Sequence, residues 1–264
     1  MKILLTNDDG IHAPGLSALY HALRSDNDVY VVAPVSEMSA VGHAITLTLP
    51  LRVQKVHKKG SFFGYAVTGT PADCVKIAVQ ELLEEPPDII LSGINPGPNV
   101  GINLLYSGTV SAATEGAFLG IRSAAISLDC RKDPDFGFSA LFAGQLIRFM
   151  MEIGLGEGIA LNVNIPGVAP EEIRGVCFTS QGTSKFDERY ERRSDPRGNV
   201  YYWLSGETVI EDGDTETDSM ALKKNKITIT PISYNLTSVS ELNRLKSLPR
   251  INIQTLSHLR KDNE

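Results

Sequence analysis

The sequence has little cysteine, a single tryptophan and no long apolar run, and each shortage excludes a class of protein. Its three cysteines, Cys74, Cys130 and Cys177, lie far apart with no CxxC spacing, which argues against a disulfide framework or a thiolate zinc site. They read as small core residues of a chain kept in a reducing compartment. No apolar segment reaches the ~20 residues that a membrane-spanning helix needs. After Met1-Lys2 the chain enters a strand-like run at once, without a charged leader or cleavage site, so the expectation is a cytoplasmic protein with no membrane partner. Basic residues are in deficit, with 25 Lys and Arg against 31 Asp and Glu and a net charge of -6. That balance argues against polymeric nucleic acid as a partner, because backbone binding depends on clustered cations. The short basic runs at 55–59 and 189–197 are mixed with other residues and read as solvated faces.

What is present is an ordinary folded composition, 42% hydrophobic and 21% charged over 264 residues, enough to bury a substantial core. Only the polar end after Arg260 reads as disordered. Strand-like and helix-like patterns alternate from the start. Lys2 to Thr6, Asp28 to Ala33, Phe62 to Val67, Asp88 to Leu91, Ala124 to Leu128 and Ala160 to Ile165 read as strands. Between them, Pro14 to Leu23, Pro71 to Leu83, Thr109 to Leu119 and Ala140 to Met151 have helical spacing, and Pro14 stands where an early helical proline is favoured. Such alternation predicts an α/β fold: a mostly parallel sheet with helices on both faces, over residues 1–172. Two stretches break the rhythm. Residues 44–56 alternate around Pro50 like a projecting β-hairpin, and from Ile173 the pattern becomes β-rich. There Val176 to Thr179, Val200 to Leu204 and Ile227 to Ile232 read as strands, Lys185 to Asn199 as a charged, turn-rich segment, and Val239 to Leu248 as a helical tail. Residues 173–264 are therefore expected to form a C-terminal appendage that can reach a neighbouring subunit.

In an open parallel sheet the ligand lies beyond the carboxyl ends of the strands. The first strand ends in Thr6-Asn7-Asp8-Asp9-Gly10. Adjacent carboxylates repel, and a divalent cation is the simplest compensation, although one aspartate capping the helix with the other solvated would also serve. The loops Pro34 to Ala40 and Ser92 to Asn99 are rich in hydroxyl and amide oxygens, which serve either as turn formers or as neutral ligands. An all-oxygen site of that kind suits Mg²⁺ or Mn²⁺, with Ca²⁺ also admissible, rather than zinc. Tyr106-Ser107-Gly108-Thr109 opens a helix whose free N–H groups and dipole favour an anion such as phosphate, or else the hydroxyls simply cap the helix. His12 and His43 lie near these loops as candidate supporting donors or as ordinary surface histidines. Asp73 stabilises the start of its helix or touches substrate, and Tyr106 is a candidate for stacking on a base.

Taken jointly these stretches resemble the SurE family of stationary-phase survival proteins, metal-dependent 5′-nucleotidases, over nearly the whole chain. The resemblance rests on Ile3 to Gly10 with Pro14-Gly15, Ala33 to Ser39, Thr68 to Val75, Ser92 to Asn95 with Gly97, Asn99 and Gly101, and Tyr106 to Val110 with Glu115-Gly116. Thr217-Asp218, Ala221 and Ile229-Thr230-Pro231 match a later stretch, where Asn225 replaces an expected glycine. The resemblance implies a Rossmann-like core and one divalent cation per subunit, held by Asp8, Asp9, Ser39 and Asn95. It implies phosphate contacts from Asn99, Ser107, Gly108 and Thr109, catalysis through Asp8, Asp9 and Asn99, and homodimers or homotetramers built partly by exchanged C-terminal segments. The expected reaction is hydrolysis of nucleoside 5′-monophosphates, with 3′-nucleotides and short polyphosphates as further substrates. The turn from Asn7 to Gly15 lacks the G-x-G-x-x-G of a nicotinamide enzyme. The adjacent aspartates also differ from the alternate spacing of a phosphoaspartate enzyme. A non-catalytic, metal-dependent nucleotide sensor is the alternative from another class.

Overall fold

The sheet is built outward from its first strand. In the computed structural model, which describes residues 1–209 and 216–248, β1 (Lys2–Thr6) pairs in parallel with β2 (Asp28–Pro34) on one side and β5 (Ile89–Pro96) on the other. Outside these lie β4 (Ser61–Val67), parallel to β2, and β6 (Arg122–Asp129) and β7 (Ile159–Pro166), which continue the parallel set beyond β5. The edges are β3 (Val53–Lys58) at one end and β11 (Ile227–Ser233) with β8 (Val176–Phe178) at the other, giving the order β3-β4-β2-β1-β5-β6-β7-β11-β8. From β1 the chain moves to β2 and β4, then crosses back to β5 and continues the other way. The reversal between β1 and β5 opens a crevice at the carboxyl edge, the place where such sheets hold ligands.

Both faces are covered, as the period-two alternation of strand side chains requires. Ile3, Leu5, Leu91, Ile126 and Val163 pack under α1 (Pro14–Leu23) and α4 (Gly137–Ile153). Leu4, Val32, Val67 and Ile90 face the other way, toward α2 (Pro71–Ile77) and α3 (Gly108–Phe118). Ile3, Leu4 and Leu5 are fully enclosed, each contributing roughly 1.5–3 kcal/mol of burial. Local signals set the helix ends. Pro14 begins α1, Thr70 and Asp73 form a reciprocal cap on α2, and α4 stops at Gly154 in the left-handed region, φ 62°, as helix ends commonly do. The helix expected from Pro71 to Leu83 is α-helical only to Ile77 and finishes as a π-helical turn, Ala78–Leu82.

Several expected boundaries move. Residues 44–52 form no strand, and the alternating apolar residues Ile45, Leu47 and Leu49 are exposed. The Thr46 N–H and hydroxyl bond to Asp73, and the Ala44 carbonyl accepts from Thr70, so this backbone is satisfied by α2 and its cap rather than by a ladder. Only Val53–Lys58 of the expected 44–56 segment is a strand, and it joins the sheet edge against β4. The projecting hairpin is instead β9 (Lys185–Ser194) with β10 (Val200–Val209), a separate two-stranded sheet. Beyond residue 172, β8 and β11 complete the main sheet together with the short α5 (Asp218–Lys223). The first compact unit runs from Met1 to Ser233 and the second from Tyr234 to Glu264. Taken by itself, the second contains α6 (Val239–Lys246), capped by Ser238, which accepts the Glu241 N–H. The polar end after Arg260 lies outside the described residues. Among the described residues, no helix is long and apolar enough to cross a membrane.

Candidate active site

Three of the expected loops meet on Asp8. Its Oδ1 accepts a hydrogen bond from the Thr109 hydroxyl at 2.5 Å, and its carbonyl accepts the Met38 N–H at 2.7 Å. The turn after β1, the loop after β2 and the start of α3 are thereby tied together at the carboxyl edge of the sheet. Asn7 closes the first turn by donating to the Gly10 carbonyl at 3.1 Å. Gly108 makes the approach of α3 sterically feasible, because a Cβ there would lie 2.7 Å from Asp8 Cβ and 3.0 Å from Asp8 Oδ2. Gly15 plays the same part for α1, where a Cβ would fall 2.1 Å from the Ile94 carbonyl oxygen.

The aspartate pair is electrostatically unfavourable as it stands. Burial raises the Asp8 pKa, partly offset by hydrogen bonds from the Thr109 hydroxyl and N–H. Asp9 is pushed up to about 7, first by burial and then by the charges of Asp8 and Glu37. Asp9 Oδ2 is buried without a hydrogen-bond partner. A buried carboxylate oxygen with no donor is a destabilising arrangement unless something positive completes it. A divalent cation fits: it would supply the missing charge and favour the ionised form of both groups. Among the described residues no group of three or more His, Cys, Asp or Glu side chains is placed to hold a metal, so a cation here would also need neutral oxygen ligands.

The two neutral candidates are differently disposed. Asn95 is half-buried at the end of β5, and its Nδ2 donates to the Gly97 carbonyl at 2.7 Å, which leaves its carbonyl oxygen to act as a ligand. Ser39 is exposed, and its hydroxyl donates to Glu37 Oε1 at 2.5 Å rather than to an aspartate. Its loop is nevertheless held against the site by the Met38–Asp8 bond and by the Gly42 N–H, which donates to the Tyr106 carbonyl at 3.0 Å.

At the start of α3, Ser107 caps the helix by accepting the Val110 N–H at 3.1 Å. Thr109 is fully buried, and its hydroxyl is given to Asp8. Asn99 is buried, and its Nδ2 donates to Ser127 Oγ at 2.8 Å. Of the weaker candidates, Asp73 is committed to Thr46 and Thr70, His12 is exposed, and Tyr106 is 55% exposed at the mouth of the helix.

Sequence reasoning did not find two supporting networks. His43 Nε2 lies 2.8 Å from Glu115 Oε2, Lys76 Nζ lies 3.0 Å from Glu115 Oε1, and the His43 ring stacks on Phe118. The loop that follows Ser39 is thus clamped to α3 at His43. Glu115 stands in a recognised motif, but its partners come from distant segments and carry no local pattern. The second network holds Asn99 and draws on Asn162 and Asn164. Two asparagines in an otherwise apolar parallel strand are the signal that would have exposed it. Surface cavities elsewhere, such as one lined by Tyr20, Arg24, Asn27 and Tyr30, lie at the amino edge of the sheet, away from these residues.

A Rossmann-like parallel sheet whose switch-point crevice sets an acidic turn against a helix N-terminus defines an α/β protein suited to an anionic ligand and a hard cation. A family model described as "Survival protein SurE" matches residues 3–188. The chain is 54% identical to the 5′-nucleotidase SurE of Syntrophobacter fumaroxidans, over 93% of this chain and 98% of that protein. It is 52% identical to the 5′-nucleotidase SurE of Syntrophus aciditrophicus, over 94% of each. Its fold matches the crystal structure of the SurE protein from Aquifex aeolicus with a TM-score of 0.80 and 39% identity, covering 94% of this chain and all of the other. The chain belongs to the SurE family.

Proposed function

We propose that this protein is a divalent-metal-dependent phosphomonoesterase that hydrolyses nucleoside 5′-monophosphates to nucleoside and phosphate. The observation that carries this reading is the Asp8–Thr109 bond, which sets the carboxylate pair against the N-terminus of α3. The names of the relatives support the substrate class. The donor set Asp8, Asp9, Ser39 and Asn95 would hold the cation, Mg²⁺ or Mn²⁺ by its all-oxygen character, with Ca²⁺ admissible. A bound divalent cation supplies an acidified water and charge neutralisation at phosphate. The α3 N-terminus at Ser107, Gly108 and Thr109 would orient the phosphoryl group through the Gly108 N–H and the helix dipole, the Ser107 N–H being donated to the Leu104 carbonyl and the Thr109 N–H to Asp8. The Thr109 hydroxyl serves Asp8 rather than the substrate. Asn99 offers its remaining amide hydrogen to a phosphoryl oxygen, where developing charge is best stabilised by a donor already in place.

The same site would admit 3′-nucleotides and short polyphosphates, which carry the same terminal phosphoryl group. The exposed Tyr201, Tyr202, Trp203 and Leu204 of the β9–β10 hairpin support a homodimer or homotetramer, since a lone two-stranded ribbon is marginal in water. A cytoplasmic location accords with the unpaired cysteines.

A panel of 5′- and 3′-nucleotides and polyphosphates, assayed for phosphate release with Mg²⁺, Mn²⁺, Ca²⁺ and chelator, tests the reading. Metal-dependent release from 5′-monophosphates is expected. Binding of AMP with no release under any metal would replace the enzyme with a nucleotide sensor.

A further inference from the structure

β7 reads Ile-Ala-Leu-Asn-Val-Asn-Ile-Pro. Leu161, Val163 and Ile165 enter the core on one face, while Asn162 and Asn164, both fully buried, take the other. Asparagine is a poor strand former, and burying its amide is unfavourable unless its atoms are paired. Asn164 is paired through both its amide oxygen and nitrogen with Asn99, and Asn162 through its nitrogen alone, its Oδ1 being buried without a partner. Asn164 Oδ1 accepts the Asn99 N–H at 2.7 Å, and Asn164 Nδ2 donates to the Asn99 carbonyl at 3.0 Å. Asn162 Nδ2 donates to the same carbonyl at 2.8 Å. The Asn164 amide thus stands in for a neighbouring strand, exchanging both ladder bonds with one residue.

The clamp is continuous with the site. Asn95, Ser127, Asn164 and Thr228 are in-register positions on β5, β6, β7 and β11. One row across the sheet therefore links the proposed metal ligand Asn95 to the groups that grip Asn99. Downstream, the Gly101 N–H donates to the buried Asp218 Oδ2 at 3.0 Å, and Gln181 Nε2 donates to the Gly101 carbonyl at 2.8 Å.

We infer that Asn164, assisted by Asn162 and Ser127, is a positioning residue that fixes the Asn99 peptide and amide so that one Asn99 N–H faces the phosphoryl group. This rests on the function proposed above and deepens it. A misplacement of about 1 Å in a catalytic contact typically costs ~10²-fold in rate.

The test is a double-mutant cycle on the full chain with AMP and Mn²⁺, comparing wild type, Asn164→Ser, Asn99→Ala and the double variant. Asn164→Ser should lower kcat on the order of 10–100-fold with KM held within about threefold. In the Asn99→Ala background the same change should lower kcat by less than about twofold. The Asn99 amide proton, followed by NMR hydrogen exchange, should exchange faster in Asn164→Ser. If Asn164→Ser does not fold, Asn162→Ser and Ser127→Ala carry the same cycle with the same expected non-additivity. Unchanged kcat in a folded variant, equal losses in both backgrounds, or unaltered amide exchange would overturn the inference. Full activity of Asn99→Ala, or a wild type that releases no phosphate, would instead remove the reading of the site, and the inference with it.

Discussion

Thr109 and Asp8, 101 residues apart in the sequence, are joined by a 2.5 Å hydrogen bond that locks the first residues of α3 onto the acidic turn after β1. The bond places the positive end of a helix dipole beside a buried carboxylate. It also spends a hydroxyl that the motif alone assigns to phosphate. Replacing it tests what it does. Thr109→Val keeps the shape and leaves Asp8 Oδ1 buried without its donor, so the protein should lose about 1–3 kcal/mol of stability, measured by urea unfolding in chelator. Stability equal to wild type would show that the bond contributes nothing.

Gly108→Ala should destabilise the protein and depress kcat/KM for AMP on the order of 10²-fold, even though alanine is the better helix former. The reason is the 2.7 Å that would separate the new Cβ from Asp8 Cβ. A more stable, fully active variant would show that α3 can retreat without consequence.

The metal-free protein should lose stability as pH rises toward neutrality. Asp9 titrates at about 7 in the folded chain against about 3.9 when unfolded. Because the folded pKa is raised, the native state binds the proton more tightly. The contribution is fully present below the unfolded value and is lost as pH climbs through the folded one. The measurement is urea unfolding of chelator-treated wild type and Asp9→Asn between about pH 5 and 8. The stability difference, wild type minus variant, should fall across that range and level off above it. A difference that grows with pH would contradict the assignment. Cation binding requires the ionised carboxylate, so Mn²⁺ affinity should move the opposite way, strengthening as pH rises.

Glu115→Gln should loosen the loop that carries Ser39. Burial pulls the Glu115 pKa up, yet hydrogen bonds from His43 and Lys76 bring it below the usual glutamate value, which marks the ionised form as the partner of both. The expected result is a rise of about tenfold in the Mn²⁺ concentration for half-maximal rate, with the saturated rate little changed. Calorimetric Mn²⁺ titration provides a reading independent of turnover, and unchanged affinity there would free the Ser39 loop from Glu115.

The parallel strands were legible because each, buried on both faces, is a short apolar run between turn residues, as Ile3-Leu4-Leu5 and Ile89-Ile90-Leu91 are. The acidic turn and the α3 cap were legible for a different reason: their chemistry is local. What escaped depends on partners distant in sequence. β9 read as a charged turn because Lys185–Ser194 has no apolar face, and its strand character comes from the ladder to Val200–Val209. Residues 44–56 read as a β-hairpin because their apolar residues alternate around Pro50, but Asp73 and Thr70 claim the backbone at Thr46 and Ala44. Asn162 and Asn164 looked like ordinary members of a strand until register placed them under Asn99.

Phosphate release from AMP by Asp8→Asn, with Mn²⁺ supplied and folding checked by circular dichroism, is the most direct measurement of the central claim that Asp8 anchors the reacting centre. The folded variant should lose more than about 100-fold in rate, with no recovery at higher Mn²⁺. A folded Asp8→Asn protein that releases phosphate at the wild-type rate would place the chemistry somewhere else in the molecule.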